Sequence, residues 1–285
     1  MENLQEWLGR TETVRDVLQP SLVDRFVATL PGFDSLPSGR ITKDGDPAPR
    51  LIHFCLSIDP APQDRLDVDG HPLRGGFLPP VPLPRRMWAA SEIEFHANIL
   101  IGSAVDRHSR IAAIEQKEGR NGTLCFVTVE HLIYSDARLC IEDRQTIVYR
   151  EATKPEQNRH FSEPKAEQAR GSIKVIAPST PLLFRYSALT FNSHRIHYDR
   201  DYATQAEGYP GLVVQGPLQA TLLYYHCADA AGGRLPDRYR FRGVAPLCAP
   251  DPFELRAEPI ECGEMHSCTV SADGATAMKA VASWR

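Results

Sequence analysis

Apolar residues follow two different periods along this chain. Over residues 2–30 they recur at helical spacing. Leu4, Trp7 and Leu8 share one face, then Leu22, Phe26 and Leu30 share another, which predicts short helices. Residues 32–50 are rich in Gly, Asp, Pro and Ser and read as a loop. Residues 51–58 (LIHFCLSI) are an apolar stretch that stops before Pro60. Residues 66–86 are too dense in proline and glycine for a regular element. A structured loop is expected there, because Phe77, Leu78, Val81 and Leu83 need burial.

The period then changes to two. Residues 92–101, 109–116 and 123–134 alternate or run apolar, separated by turns such as EGRNG. In TLCFVTVEHLIY, Cys125, Val127 and Val129 point one way while Leu124 and Phe126 point the other. RQTIVYRE continues as a further strand of an antiparallel meander. Residues 151–171 are polar, carry two prolines, and read as a linker near the midpoint. Beyond it, IKVIAP is a short strand, and a helix is expected from Pro217 to the stop at Gly232. Leu218, Leu222 and Tyr225 fall on one face of that helix, with Ala220, Leu223 and Cys227 on the others, which predicts burial all round. Strand patterns return at 238–245, 253–260, 264–271 and 275–284. EIEFHANILIG and RYRFRGVAPLC align Phe95 with Phe241, about half a chain apart. The expectation is an α+β chain in which an antiparallel sheet wrapped around a helix is used twice.

Composition narrows the class. The chain has 285 residues, 42% hydrophobic and 24% charged, so it can bury a core and is not disordered. A net charge of −4 offers no electrostatic footprint for nucleic acid. Seven cysteines occur without a CxxC pair, which fits buried thiols in a reducing compartment rather than disulfides or zinc. MENLQEWLGRTE lacks the basic and apolar regions of a signal peptide, and no run of about 18 apolar residues occurs. A soluble, cytoplasmic protein is expected, with no membrane partner.

The chemistry concentrates in residues 183–203, LFRYSALTFNSHRIHYDRDYA. Asn192, His194, Arg195, His197, Tyr198 and Asp199 lie within eight positions, which reads as a functional loop. Three readings of it stand at this point. His194, His197 and Asp199 could chelate a metal, although Arg195 and Arg200 would repel the ion. The histidines could simply hydrogen-bond within a polar loop. Alternatively, His197 is an acid–base group, with the helix N-terminus at Gly216 offering N–H groups to a developing oxyanion.

SALTFNSHRIH resembles the hydratase motif of MaoC-like, R-specific enoyl-CoA hydratases, whose usual form is ALSGDxNPLH. Ala188, Leu189 and Thr190 match its opening and His197 its histidine. Asn192 stands at the aspartate, and His194 and Arg195 replace asparagine and proline. PGLVVQGPL resembles the stretch IVHGML that begins the central helix of that family, with Gln215 where histidine is common and Gly216 at the glycine whose amide contacts the thioester carbonyl. RYSALTFNSHRIHYD together with DGHPLRGGFLPPVPLPRRMW is similar to a narrower branch: type-2 hydroxyacyl-thioester dehydratases and the itaconyl-CoA and mesaconyl-C4-CoA hydratases.

The resemblance implies a double hot dog, two antiparallel sheets each wrapped around a helix, with a degenerate, non-catalytic first half (1–150), a linker (151–171) and a catalytic second half (172–285). It implies His197, Asn192 and Gly216 as the catalytic set, with no metal and no cofactor. His197 would take and return one proton, at an ordinary pKa of about 6.5. The amide oxygen of Asn192 would aim the water. The substrate would be an acyl-CoA, and a homodimer is compatible with the family. A dicarboxylic acyl chain needs a cation, for which Arg195, Arg242, Arg86, Arg185 and His71 are candidates, Arg195 foremost because it lies inside the motif. The resulting expectation is hydration of itaconyl-CoA or mesaconyl-C4-CoA to citramalyl-CoA, in itaconate degradation. A 3-hydroxyacyl-thioester dehydratase of fatty-acid synthesis, or a hot dog that binds acyl thioesters without turnover, are the alternatives.

Overall fold

The computed structural model describes residues 4–36, 43–58, 60–119, 122–151 and 171–285. The first half holds β1 (Thr11–Val17), α1 (Pro20–Thr29), β2 (Arg85–Phe95), β3 (Ala104–Gly119), β4 (Gly122–Ser135) and β5 (Arg138–Arg150). The second holds β6 (Ser172–Ile176), α2 (Thr180–Leu189), β7 (Leu212–Val213), α3 (Gly216–Ala230), β8 (Arg238–Gly243), β9 (Cys248–Ala249), β10 (Phe253–Ala257), β11 (Glu264–Ser271) and β12 (Thr276–Ser283). β7 and β9 pair only with each other.

The remaining ten strands form one antiparallel sheet in the order β1-β3-β4-β5-β2-β8-β12-β11-β10-β6. Setting the β7–β9 pair aside, each half uses the same order: first, third, fourth, fifth, second. The halves join where β2 pairs with β8, from Ala90↔Arg242 to Glu94↔Arg238. The helices follow the same repeat. α1 comes after the first strand of its half as α2 does in the other, and these two helices pack together. α3 precedes the second strand of the second half. In the first half that place holds, among the described residues, only two 3-10 turns, Ile52–Cys55 and Gln63–Arg65.

α3 is buried on every side, from Leu218 through Ala228, and it packs on β8, β10, β11 and β12. Such burial requires every polar group to find a partner. The Thr221 hydroxyl donates to Pro217 O (2.8 Å), Tyr224 to Pro236 O (2.9 Å) and Tyr225 to Arg50 O (2.7 Å). The inner face of the sheet follows the period-two pattern: Cys125, Val127 and Val129 of β4 are buried. Phe95 and Phe241 both sit on that face, on the two strands that join the halves. Cys55, Cys125, Cys140 and Cys227 are buried, and all seven cysteines are free. Among the described residues no helix is long and apolar enough to cross a membrane.

Several local elements differ from the sequence expectation. The region read as two short helices contains a strand: TETVRDV alternates in exposure and pairs with β3 from Thr11↔Arg110 to Val17↔Ala104. Only Leu4–Trp7 of the first helical pattern forms a turn, a 3-10 helix. The start of the stretch 183–203, read as loop, belongs to α2, which runs from Thr180 to Leu189. Ser179 caps it by accepting from Leu182 N–H (3.3 Å), and Pro181 suits its first turn. β2 starts at Arg85, inside the proline-rich segment, and stops at Phe95 rather than running to 101. The linker expected at 151–171 falls on residues 152–170, which lie outside the described residues.

Candidate active site

α2 delivers the motif and then stops. Thr190 Oγ1 donates back to Tyr186 O (2.8 Å), and Phe191 turns the chain with φ 50°. Asn192 Oδ1 then accepts from His194 N–H (3.0 Å), an Asx-type turn that leaves one lone pair of that oxygen open. The 3-10 turn Arg195–His197 sets the rings of His194 and His197 edge to face, with centroids 5.4 Å apart. His197 is buried, and its Nδ1 lies 2.7 Å from Val213 O on β7. A carbonyl can only accept, so Nδ1 carries the hydrogen and Nε2 keeps its lone pair. α3 starts three residues after Val213, so the same short strand places Gly216 and His197 together. The Gly216 N–H, first of its helix, has no partner within the helix and sits at the positive end of the dipole.

His197, Asn192 and Gly216 line one cavity of about 1140 Å³ between the two halves. The second half supplies Thr190, Val214 and Gln219. The first half supplies Phe54 from the 3-10 turn Ile52–Cys55, Trp88 from β2, and the proline-rich segment. Phe54 and Trp88 meet edge to face at 4.9 Å and form an aromatic wall.

The loop around Gly70 docks directly on the motif. Arg195 N–H donates to Asp69 O (2.9 Å) and Ser193 Oγ to Gly70 O (2.5 Å). Gly70 has φ +88°, and a Cβ there would lie 2.0 Å from Ser193 O, so only glycine permits this approach. The docking stacks His71 on His194, with centroids 4.0 Å apart. Asp69 accepts from His71 twice, at the backbone N–H (2.8 Å) and at Nδ1 (2.9 Å). Behind His194, Glu207 lies 3.7 Å from its Nε2 and pairs with Arg85.

The electrostatics follow from this crowding. Burial pushes the His197 imidazole down to about 3; the charges of His194 and His71 add to that, and the bond to Val213 opposes it. His71 is pushed down to about 4, first by burial, against its Asp69 partner. Burial works against the Asp69 charge, but the bonds and charge of His71 hold that carboxyl well below the usual range. Glu207 is also lowered, against its burial, by His194 and Arg85. The resting site therefore holds neutral His197 and His71 with ionised Asp69 and Glu207.

The candidate cations divide sharply. Arg86 and His71 line the cavity. Arg195 does not: its guanidinium donates to Asp199 Oδ2 (3.0 and 2.7 Å) and Val68 O (3.1 Å) and lies over the Tyr202 ring. Its place in the motif serves the docking of the Gly70 loop, which corrects its leading rank. Arg242 alternates with the buried Tyr239 and Phe241 of β8, so it points to the outer face of the sheet and is exposed. Arg185 is exposed on α2, 3.4 Å from Ala28 O. Asp199, offered as a metal ligand by the sequence, is bound to Arg195 and Tyr202 N–H. Among the described residues, the group that could hold a metal ion is a different one, Asp69, His71 and His194, with ligand atoms within 4.8 Å of one another, although His71 already occupies both Asp69 oxygens. Asp69, Glu207, Arg85 and Trp88 escaped sequence reasoning. The string DGHP, flanking a glycine that tolerates φ > 0, was the available signal for Asp69.

A family model described as hydroxyacyl-thioester dehydratase type 2 matches residues 51–249. A mesaconyl-C(4)-CoA hydratase of Chloroflexus aurantiacus is 45% identical over 280 residues, covering 96% of this chain and 95% of the relative. A solved structure described as a MaoC-like dehydratase superposes with a TM-score of 0.74 at 14% identity, covering 99% of both chains. A Mycobacterium tuberculosis protein described as having a double hotdog fold superposes at 0.58 and 10% identity, over 97% of this chain and 95% of that one. The topological repeat of the two half-sheets is thus that of a double hot dog.

Proposed function

The chain belongs to the hydroxyacyl-thioester dehydratase type 2 family, and on that premise we propose that it is a CoA-thioester hydratase that adds water to mesaconyl-C4-CoA to give citramalyl-CoA. The observation that carries this reading is the 45% identity to a hydratase of that substrate along nearly the whole of both chains. The site chemistry supports it. His197 presents a neutral Nε2 to the cavity that Gly216 also lines.

In the proposed reaction the thioester oxygen rests on Gly216 N–H. Nε2 of His197 takes a proton from water, and the oxygen attacks the β-carbon. The electron pair of the double bond moves through the α-carbon to the thioester oxygen, where the helix N-terminus stabilises the enolate. The imidazolium then returns the proton to the α-carbon, so one water is consumed and His197 ends as it began. Asn192 holds the water through the open lone pair of its Oδ1. Itaconyl-CoA has its double bond one carbon further from the thioester. Removal of an α-proton by His197 and return at the terminal methylene would make mesaconyl-C4-CoA first.

The test is hydration by the purified protein of mesaconyl-C4-, itaconyl- and crotonyl-CoA, read as loss of the enoyl-thioester absorbance. The expected result is a kcat/KM for mesaconyl-C4-CoA at least about ten times that for crotonyl-CoA, the worth of one charge-assisted contact. Equal values would favour the 3-hydroxyacyl-thioester dehydratase that the family is named for. Absence of turnover with all three would leave a thioester-binding protein.

A further inference from the structure

Resting on that reading, we propose that Arg86 is the specificity-determining residue of the site and binds the free carboxylate on the β-carbon of the acyl group. The chemistry sets the requirement. In mesaconyl-C4-CoA the carbon that receives the hydroxyl also carries the methyl and the carboxylate. The cation must therefore stand within the acyl pocket, beside the catalytic histidine. A cation at the far end of the coenzyme would not serve.

Arg86 satisfies this on three independent counts. It pairs in register with Tyr149, whose side chain is buried on the inner face of the sheet, so Arg86 points inward as well. It lies two residues before Trp88 on β2, about 7 Å along the strand, and the Trp88 carbonyl is 3.8 Å from where a Cβ of Gly216 would stand. A guanidinium on that residue reaches the acyl group, whereas the diphosphate of CoA is roughly 15 Å away along the pantetheine chain. Third, Arg86 is half-buried and makes no ion pair among the described residues. The two carboxylates nearest the histidines are already taken, Asp69 by His71 and Glu207 by Arg85. A half-buried cation on a cavity wall with no paired anion among the described residues is arranged for an anion that arrives with the ligand. Arg86 is also close enough to depress His71 by its charge, which places it on the histidine side of the cavity.

The experiment compares the ratio of kcat/KM for mesaconyl-C4-CoA over crotonyl-CoA in the wild-type protein, Arg86→Met and Arg86→Lys. The ratio cancels general damage to the fold, because both substrates share the thioester and the coenzyme. Arg86→Met should lower it by about ten- to a hundredfold, one charge-assisted contact. Arg86→Lys should fall between, because it keeps the charge and loses the planar fork. A ratio unchanged in Arg86→Met, or equal losses on both substrates, would overturn the assignment and leave the substrate reading standing. A wild-type ratio near one would overturn the substrate reading itself, before any variant is measured, and the carboxylate site with it.

Discussion

His197 has one ring nitrogen committed and one open, and its chemistry follows from that asymmetry. The Val213 carbonyl fixes the tautomer, as a positioning partner does in acid–base sites generally. His197→Ala should lower turnover at least about a hundredfold, the low end for an acid–base group, while circular dichroism remains that of the folded protein. Its depressed pKa sets the pH dependence. A base works only when deprotonated, and burial keeps this imidazole neutral down to about pH 3. The acid limb of kcat/KM should therefore not fall near pH 6.5, where an ordinary histidine titrates, but well below it. A limb centred at 6.5 would show that His197 is not the titrating base. Arg195 teaches the converse lesson. Its sequence position resembles that of a ligand-binding residue, yet its guanidinium closes on Asp199 four residues later.

At the scale of elements, the site depends on a loop from the half without the motif. The segment around Gly70 brings Asp69 and His71 to the histidines, and its approach is limited by the absence of a side chain at one position. Gly70→Ala should cost about 1–3 kcal/mol for the left-handed backbone alone, with the clash against Ser193 O added to it. Because the loop must lift to relieve the clash, turnover should fall along with the urea midpoint. Wild-type activity and stability in this variant would mean that the loop is not fixed by Gly70. Other element-level facts come from strand geometry. Arg86 and Arg242 lie on the adjacent strands β2 and β8, yet one faces the cavity and the other solvent. On β8 alternation turns Arg242 away from the buried Tyr239 and Phe241, whereas the β2 end that carries Arg85 and Arg86 borders the cavity along consecutive residues.

For the whole molecule, the duplicated sheet makes the cavity by being an imperfect repeat. One half keeps a fifteen-residue helix; the other has, among the described residues, two short 3-10 turns in the same place. Phe54, in the first of those turns, lines the same cavity as Gly216 at the N-terminus of α3. Stability should carry the mark of the histidines buried around this arrangement. His197 is held at about 3, and His71 and His131 at about 4, each first by burial. The unfolded chain binds these protons from about pH 6.5 downward and the native chain does not. Each contribution is therefore intact above 6.5 and lost as pH falls toward the native pKa. The loss is about 1.4 kcal/mol per pH unit for each histidine. Asp69, lowered in the native state, acts in the same direction below its ordinary value. The urea midpoint should drop steadily from pH 6.5 to pH 4.5, and a midpoint constant over that range would refute the buried-neutral assignment.

The sequence by itself determined the elements whose periodicity is strong and local. The alternation of β4, the all-round apolar face of α3, and the cluster from Asn192 to His197 were legible because each is set by neighbours within a few residues. The motif resemblance also pointed to Gly216, while His71 and Arg86 stood only among five candidate cations, with Arg195 placed first. Sequence alone did not decide TETVRDV, a strand only because β3 offers an edge to it, nor α2, whose polar motif tail obscured a capped helix. Only the tertiary structure decided which of the candidate cations line the cavity, Arg86 and His71 but not Arg195, Arg242 or Arg185, because that depends on strand register and on the docking of a distant loop. It alone brought Asp69 and His71 to His194, over a hundred residues away. That meeting depends on close approach of two loops at Gly70, a long-range packing event that no local pattern encodes.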